Sequence, residues 1–238
     1  MKFHTAGVFL LAAFTIPTSN LSAQSLDTPT AATIPQVIPI FPLEVPMLFP
    51  GVSRPLHIFE PRYRAMVADA LKGDRIIGMT TLKPGFEANY EGRPPVYDIG
   101  CAGMITDVEE LPGGRFNIEL RCVVKFRVTG EDESRPYRLA RVEAMPEVLD
   151  DAEKATLHTL RQRLEVLITD GADSKVPPDT SDEELVNMVA QYIPLGNAER
   201  QALLELKTVV LRVRTLIELI ESKKATRPRL VASSAQSW

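Results

Sequence analysis

The spacing of apolar positions changes twice along the chain, and the two changes divide it. Between Ile38 and Arg64, in IPIFPLEVPMLFPGVSRPLHIFEPRYR, six prolines interrupt a strongly apolar run. Ile38, Ile40 and Leu43 with Phe41 predict a short first strand at the edge or on one side of a sheet, because a proline cannot donate to ladders on both sides. EVPMLFPG reads as extended chain with a turn at Pro50-Gly51, followed by a second extended piece around Leu56 to Phe59. Pro61 then opens a helix, at the position where its missing N–H costs nothing. Tyr63, Met66, Val67, Ala70 and Leu71 recur at helical spacing, and Gly73 supplies a left-handed stop. Arg62, Arg64 and Asp69 fall on the opposite face, which reads as solvated.

From Arg75 the period drops to two. RIIGMTTL, VYDIGCAGMITDVEE, RFNIELRCVVKFRVTG and YRLARVEAMPE read as strands, joined by the turn-rich loop KPGFEANYEGRPP and a tight LPGG turn. Phe116, Ile118, Leu120 and Cys122 alternate with Asn117, Glu119 and Arg121. Pairing Glu110 with Arg115 across the turn sets position 101 opposite 124 and position 122 opposite 103. Cys101 and Cys122 then lie diagonally on one face, within reach of a disulfide; the alternative is two buried thiols acting as small hydrophobes. There is no CxxC and no adjacent histidine, so no zinc site is indicated, and no cofactor is expected.

Beyond Pro146 the period becomes helical. EKATLHTLRQRLEVLI carries Leu157, Leu160, Leu164, Leu167 and Ile168 on one stripe. Ser181 with Glu184 forms a capping-box pattern that starts a second helix, ending near Tyr192. A third runs unbroken from about Asn197 through AERQALLELKTVVLRVRTLIELIES, with Leu203, Leu206, Val210, Val213 and Ile217 on one stripe. That stripe reads as intramolecular core or as a docking face. Strands followed by helices predict an α+β fold: a β-rich unit at 37–147, a helical bundle at 148–222 and a disordered tail at 223–238.

The first 23 residues show Lys2, an apolar core, Pro17 and small residues up to Ala23, the layout of a signal peptide. The apolar run of about 11 residues is short of the ~20 that cross a bilayer, so no stable membrane span is expected. Residues 24–36 read as a flexible leader. The chain is therefore expected to be exported to the periplasm, or cytoplasmic if the start codon is mis-assigned upstream. An exported compartment permits a disulfide. A net charge of −4 and a pI near 5.5 supply no basic field for phosphates, which disfavours a general nucleic-acid binder and points to a protein or peptide partner.

Phosphate-loop, dinucleotide, HExxH and GxSxG patterns are all missing from the sequence. His57 reads as a packed, hydrogen-bonded residue and His158 as a surface one. A Cys-His nucleophile is disfavoured because alternation buries both cysteines. Glu109, Glu110, Asp150, Asp151 and Asp182-Glu183-Glu184 sit at turns and helix starts, where they complement the dipole without chemistry. No catalytic residue is assigned.

IPIFPL, FPG, PLHIFEPRYRAMV, GCAGMI, the Gly-containing hairpin and RCVVKFRV, in that order, resemble the amino-terminal substrate-binding domain of Lon proteases in a stand-alone form. YIPLGNAERQALLEL followed by Arg212, Arg214 and LIELI is similar to the helices that follow the barrel in that family. The resemblance covers residues 36 to 222. It implies a small PUA-like β-barrel with an attached helical bundle that binds unfolded or exposed protein segments. Lon proteases continue into an ATPase module and a Ser-Lys peptidase, and this sequence reaches Trp238 with neither, so neither activity is carried over.

The expected function is thus a non-catalytic, exported protein- or peptide-binding module, with an envelope protein as a further candidate partner. The alternatives are a cytosolic quality-control adaptor, an unrecognised hydrolase, and, on fold analogy alone, an RNA binder. The candidate surface is the segment from Leu43 to Phe59 with the loop from Lys83 to Pro95. Phe49, Phe86 and Tyr90 are its aromatic candidates, unless Phe49 and Phe86 plug the core beneath their loops.

Overall fold

The computed structural model describes residues 34–44, 48–86, 90, 92–169 and 176–226; the expected signal peptide, nearly all of the expected leader and most of the expected tail lie outside them. Six strands and five helices follow in the order β1 Val37–Leu43, β2 Ser53–Ile58, α1 Pro61–Ala70, β3 Ile76–Thr81, β4 Ile99–Leu111, β5 Arg115–Asp132, β6 Arg138–Met145, α2 Asp151–Thr169, α3 Asp182–Tyr192, α4 Asn197–Glu205 and α5 Val209–Thr226. The fold is α+β, a mixed barrel followed by helices.

Strand β5 organises the sheet because it is long enough to serve two neighbours in succession. Its first half pairs with β2, its second half with β6, and β4 runs along the other side from Arg115 to Arg127. The order β2-β5-β4-β3-β1-β6, with β6 returning to β5, closes five strands into a barrel and leaves β2 as an open edge. Ile38, Ile40, Ile76, Ala102, Val124, Phe126, Ala140 and Val142 fill the interior, so all five barrel strands contribute to it. On the outer face α1 lays Tyr63, Met66 and Val67 over Ile77, Met79 and Leu120.

The glycines of GCAGMI have a steric cause. A Cβ on Gly100 would strike the Met79 carbonyl oxygen and the Phe126 ring, and one on Gly103 would strike Leu120. A Cβ on Gly78, in the neighbouring strand, would stand 2.9 Å from Phe126 and Ile38. Phe126 occupies the room that Gly78 and Gly100 leave, in the manner of an aromatic packed over glycine, and Leu120 the room left by Gly103.

Several expectations need correction. The prolines of the first strand do not mark a sheet edge: β1 is interior, but Val37–Ile40 pairs with β6 and Ile40–Leu43 with β3. Pro39 and Pro42 thus each lie in a half with a single partner, which a residue without an N–H tolerates. The left-handed residue after α1 is Arg75, at φ 59°, not Gly73. Arg75 is held by its own partner, for its Nε donates to Ile105 O at 3.0 Å while Ile105 N donates back to its carbonyl at 2.8 Å. The β4–β5 turn pairs Leu111 with Arg115, one residue away from the expected register. A bulge between Ile105 and Asp107 restores Gly103 opposite Cys122, and a second beside Ala102 and Gly103 sets Cys101 opposite Lys125 rather than Val124. The extra residue Val123 also turns Val124 and Phe126 inward, while Cys122 faces α1.

The expected third helix is two helices. α4 stops at Glu205, and Leu206 is extended at ψ 140°. The carbonyls that end α4 accept from buried cations instead of from a next turn: Lys125 Nζ donates to Leu204 O at 3.2 Å and Leu206 O at 2.5 Å, and Arg212 Nε to Leu203 O at 3.0 Å. Thr208 Oγ1 then caps α5 by accepting from Leu211 N at 3.3 Å. α5 continues to Thr226, past the limit expected at 222. The stripe expected on the single helix is core, with Leu203 of α4 and Val210, Val213 and Ile217 of α5 buried in the bundle.

Candidate binding site

Barrel and bundle are joined by a buried ionic cluster. Alternation along β5 sends Phe126 into the barrel and Lys125 outward, beneath the α4–α5 turn. Lys125 is 1% exposed and meets Glu147 at 2.6 Å; Arg212, fully buried, grips the same carboxylate at 3.1 and 2.5 Å. The three ammonium protons of Lys125 are accounted for by Glu147 and the two carbonyls of the α4 end. Burial pushes the Lys125 pKa down while the Glu147 charge pulls it back up.

Asn187 of α3 extends the cluster, accepting from Arg212 at 2.8 Å and donating to Pro50 O at 2.9 Å. Gln191, one turn on, accepts from Phe49 N at 3.1 Å. The proline-rich stretch is therefore clamped by α3, and beside it lies a cavity of about 240 Å³ lined by Arg121, Glu147, Glu183, Glu184 and Asn187, in which Arg121 pairs with Glu184 at 3.7 Å. Burial, with the Glu147 charge second, raises the Glu183 pKa.

The other side of α3 is different. Its sequence DEELVNMVAQY buries Val186, Ala190 and Gln191 on one face, while Leu185 and Val189, also buried in the bundle core, recur at helical spacing with the half-buried Met188 and the exposed Tyr192 on a second face. That face, with Ile168 at the end of α2, with Val176 and with Ile193, lines an open and overwhelmingly apolar groove of about 510 Å³. The size is within the range of ligand sites. Tyr192 is 60% exposed, and its hydroxyl donates to Ser53 O at 3.1 Å, tying the groove to the start of the open strand β2. At the far end of that strand His57 and the exposed Phe59 stack with centroids 6.0 Å apart.

The three aromatic candidates do not converge. Phe49 is fully buried in the bundle core, with the Arg212 guanidinium 5.6 Å from its ring centroid; it is a plug, not a binding residue. Phe86 is exposed on its loop. Tyr90 packs beside α1, where its hydroxyl donates to Glu60 at 3.0 Å and Arg62 lies 4.8 Å from its ring centroid and 4.6 Å from that of Tyr63. Arg62, expected on a solvated face, is thus enclosed. His57 Nδ1 donates to Asn117 Oδ1 at 2.7 Å and His158 Nδ1 to Asp182 Oδ2 at 2.9 Å, both at the surface. The sulfurs of Cys101 and Cys122 are brought together beneath α1, with Cα atoms 5.9 Å apart. Among the described residues no helix is long and apolar enough to cross a membrane.

The family profile of the ATP-dependent protease La (LON) substrate-binding domain matches residues 37–222, which takes in barrel, junction and bundle. The chain belongs to the LON substrate-binding domain family. Lon protease 2 of Myxococcus xanthus is 26% identical over 201 residues, covering 80% of this LON chain and 24% of the relative. Lon protease of Anaeromyxobacter dehalogenans is 25% identical over 200 residues, with the same two shares. The chain therefore spans 24% of the length of these relatives. Two solved LON structures share its fold. The N-terminal domain of Mycobacterium avium complex Lon protease has a TM-score of 0.57 at 19% identity, covering 78% of this chain and 98% of that one. The Lon N-terminal domain protein of Xanthomonas campestris has a TM-score of 0.54 at 21% identity, covering 76% and 97%.

The groove residues of this LON domain were missed by sequence reasoning, which placed α3 from its capping box and followed no stripe along it. The available signal was the second apolar series on a short helix, which a single packing partner does not require.

Proposed function

We propose that this LON domain is a non-catalytic module that holds an exposed apolar segment of another protein in the α2–α3 groove, and that it works outside the cytoplasm. The observation that carries the binding reading is the second apolar face of α3, open to solvent through Met188 and Tyr192. Methionine adapts to varied side chains and tyrosine offers a flat apolar surface with a polar tip, a combination suited to segments of differing sequence. The description of the family as substrate-binding agrees with it. The non-catalytic reading is supported by the internal partners of Lys125, His57 and His158. The export reading is supported by the three-part amino terminus and the juxtaposed cysteines.

Met188→Glu sets a charge in the groove wall at a half-buried position. Losing apolar burial of this kind costs roughly 1.5–3 kcal/mol, so peptides selected for binding from an apolar array are expected to bind at least about tenfold more weakly. Undiminished binding by a folded variant removes the groove from the reading. Fractionation of the tagged full-length protein is expected to place it in the envelope; recovery in the cytoplasm overturns the compartment and leaves the groove standing.

A further inference from the structure

The chain beyond α5 leaves the bundle beside the groove. α2 and α5 run side by side in one direction: Arg163 meets Glu221 at 2.6 Å, and one turn on Lys224 Nζ donates to Leu167 O at 3.0 Å. Leu167 directly precedes Ile168, which lines the groove. On its other side the last turn of α5 is tied to the start of α4, where Lys223 Nζ donates to Glu199 Oε2 at 3.0 Å. Arg200, the next residue, donates to the carbonyl of Ile193, also a groove residue, at 3.0 Å. The end of α5 at Thr226 is therefore held between two segments that each run into a wall of the groove.

Residues 227–238, RPRLVASSAQSW, lie outside the described structure and follow directly from that point. Pro228 disfavours a further helical turn, because its ring excludes the helical conformation at Arg227. Leu230 and Val231 are the first apolar pair beyond it. Four extended residues span up to about 14 Å, more than the ~10–12 Å diameter of a helix, so the pair reaches past the end of α2 to the groove. A groove of about 510 Å³ with apolar walls has room for two aliphatic side chains. We propose that this LON domain places its own Leu230 and Val231 in the α2–α3 groove, so that a foreign segment enters by displacing them. The inference rests on the groove reading, of which it is the regulation. A tethered occupant needs only weak intrinsic affinity, because a short connection holds it at an effective concentration on the order of millimolar. The affinity of a competing segment then falls by the fraction of grooves left free. A segment already attached also loses less translational freedom on docking than a second copy would, which favours the intramolecular contact.

The test compares the full mature protein with a form ending at Thr226, which keeps α5 whole. The probe is a fluorescent, acetylated and amidated nine-residue peptide of Leu, Phe and Ser, read by anisotropy. The shortened form is expected to bind it about tenfold tighter, the ratio for a tail that binds at about 0.1 mM and is presented at about 1 mM. Leu230→Ser with Val231→Ser in the full protein is expected to give the same gain while far-ultraviolet circular dichroism stays native. A synthetic peptide of residues 227–238 carries the chain's single tryptophan, Trp238, so its own emission anisotropy reads its binding to the shortened protein, which has none. That peptide is expected to bind the shortened protein and to bind its Met188→Glu variant at least about tenfold more weakly. Equal affinity of the full and shortened forms for the Leu-Phe-Ser peptide overturns the tail contact alone, as does weaker binding by the shortened form. No gain in the double variant, or undiminished binding of the tail peptide by Met188→Glu, also overturns it. A gain on shortening that vanishes as the protein is diluted assigns the tail to the groove of a second copy and overturns the intramolecular contact. Binding of the Leu-Phe-Ser peptide by neither form overturns the groove reading and its regulation together.

Discussion

Glu147→Ala is expected to destabilise the protein by about 3–5 kcal/mol, the cost of removing one partner from a buried ion pair. The carboxylate is 10% exposed and is shared by Lys125 at 2.6 Å and Arg212 at 2.5 Å. Without it two positive charges remain beside each other in the junction, and their other partners are neutral carbonyls and an amide. The loss takes a large share of a typical domain stability of about 5–15 kcal/mol. Urea denaturation followed by circular dichroism measures it as a lower midpoint at unchanged slope. Replacing all three groups together, as Lys125→Met, Glu147→Leu and Arg212→Leu, should restore much of the loss, because an apolar cluster needs no counter-charge. If Glu147→Ala costs under about 1 kcal/mol, the cluster behaves as a surface pair and the account of the junction is wrong.

The second large effect concerns Cys101 and Cys122. Protein purified from an oxidising compartment is expected to carry a bond between them and to lose about 3 kcal/mol when the bond is reduced, from the loop-closure entropy returned to the unfolded chain. The two Cα atoms are 5.9 Å apart and the closed loop spans a sequence separation of 21. Both residues are buried under α1 among Met66, Met79 and Leu120, so the native thiols are shielded from exchange. Intact mass under denaturing, non-reducing conditions should be short of the reduced mass by two hydrogens. The double variant Cys101→Ala, Cys122→Ala should match the reduced wild-type protein in denaturation and not the oxidised one. Two titratable thiols in the unreduced, unfolded protein would dispose of the bond.

Local pattern made much of the architecture legible, and particular residues show where it stopped. Alternation in RFNIELRC placed Phe116, Ile118, Leu120 and Cys122 on one face, and they do pack together. The same alternation could not foresee that Val123 is an extra residue, since a bulge depends on which strands must be served on either side of β5. The helical period from Asn197 to Ser222 gave no sign of the break at Leu206. Propensity there favours helix, and the break is stabilised by Lys125, which is 81 residues away in sequence. Phe49, Phe86 and Tyr90 were chosen for lying in turn-rich stretches, and that context does not distinguish a plug from an exposed contact. Phe49 is held by Gln191, 142 residues away.

By itself, then, the sequence determined the element types, the strands-then-helices order, the family and the charges that disfavour a phosphate-binding role. These depend on neighbours within a few residues, or on composition, and are written in period and spacing. The tertiary structure alone decided that the prolines of IPIFPL sit between two successive strand partners, that one buried carboxylate balances two cations, and that Phe49 plugs the bundle core. Each of these brings together groups from distant segments, and closure of the barrel, not local preference, fixes which ones meet.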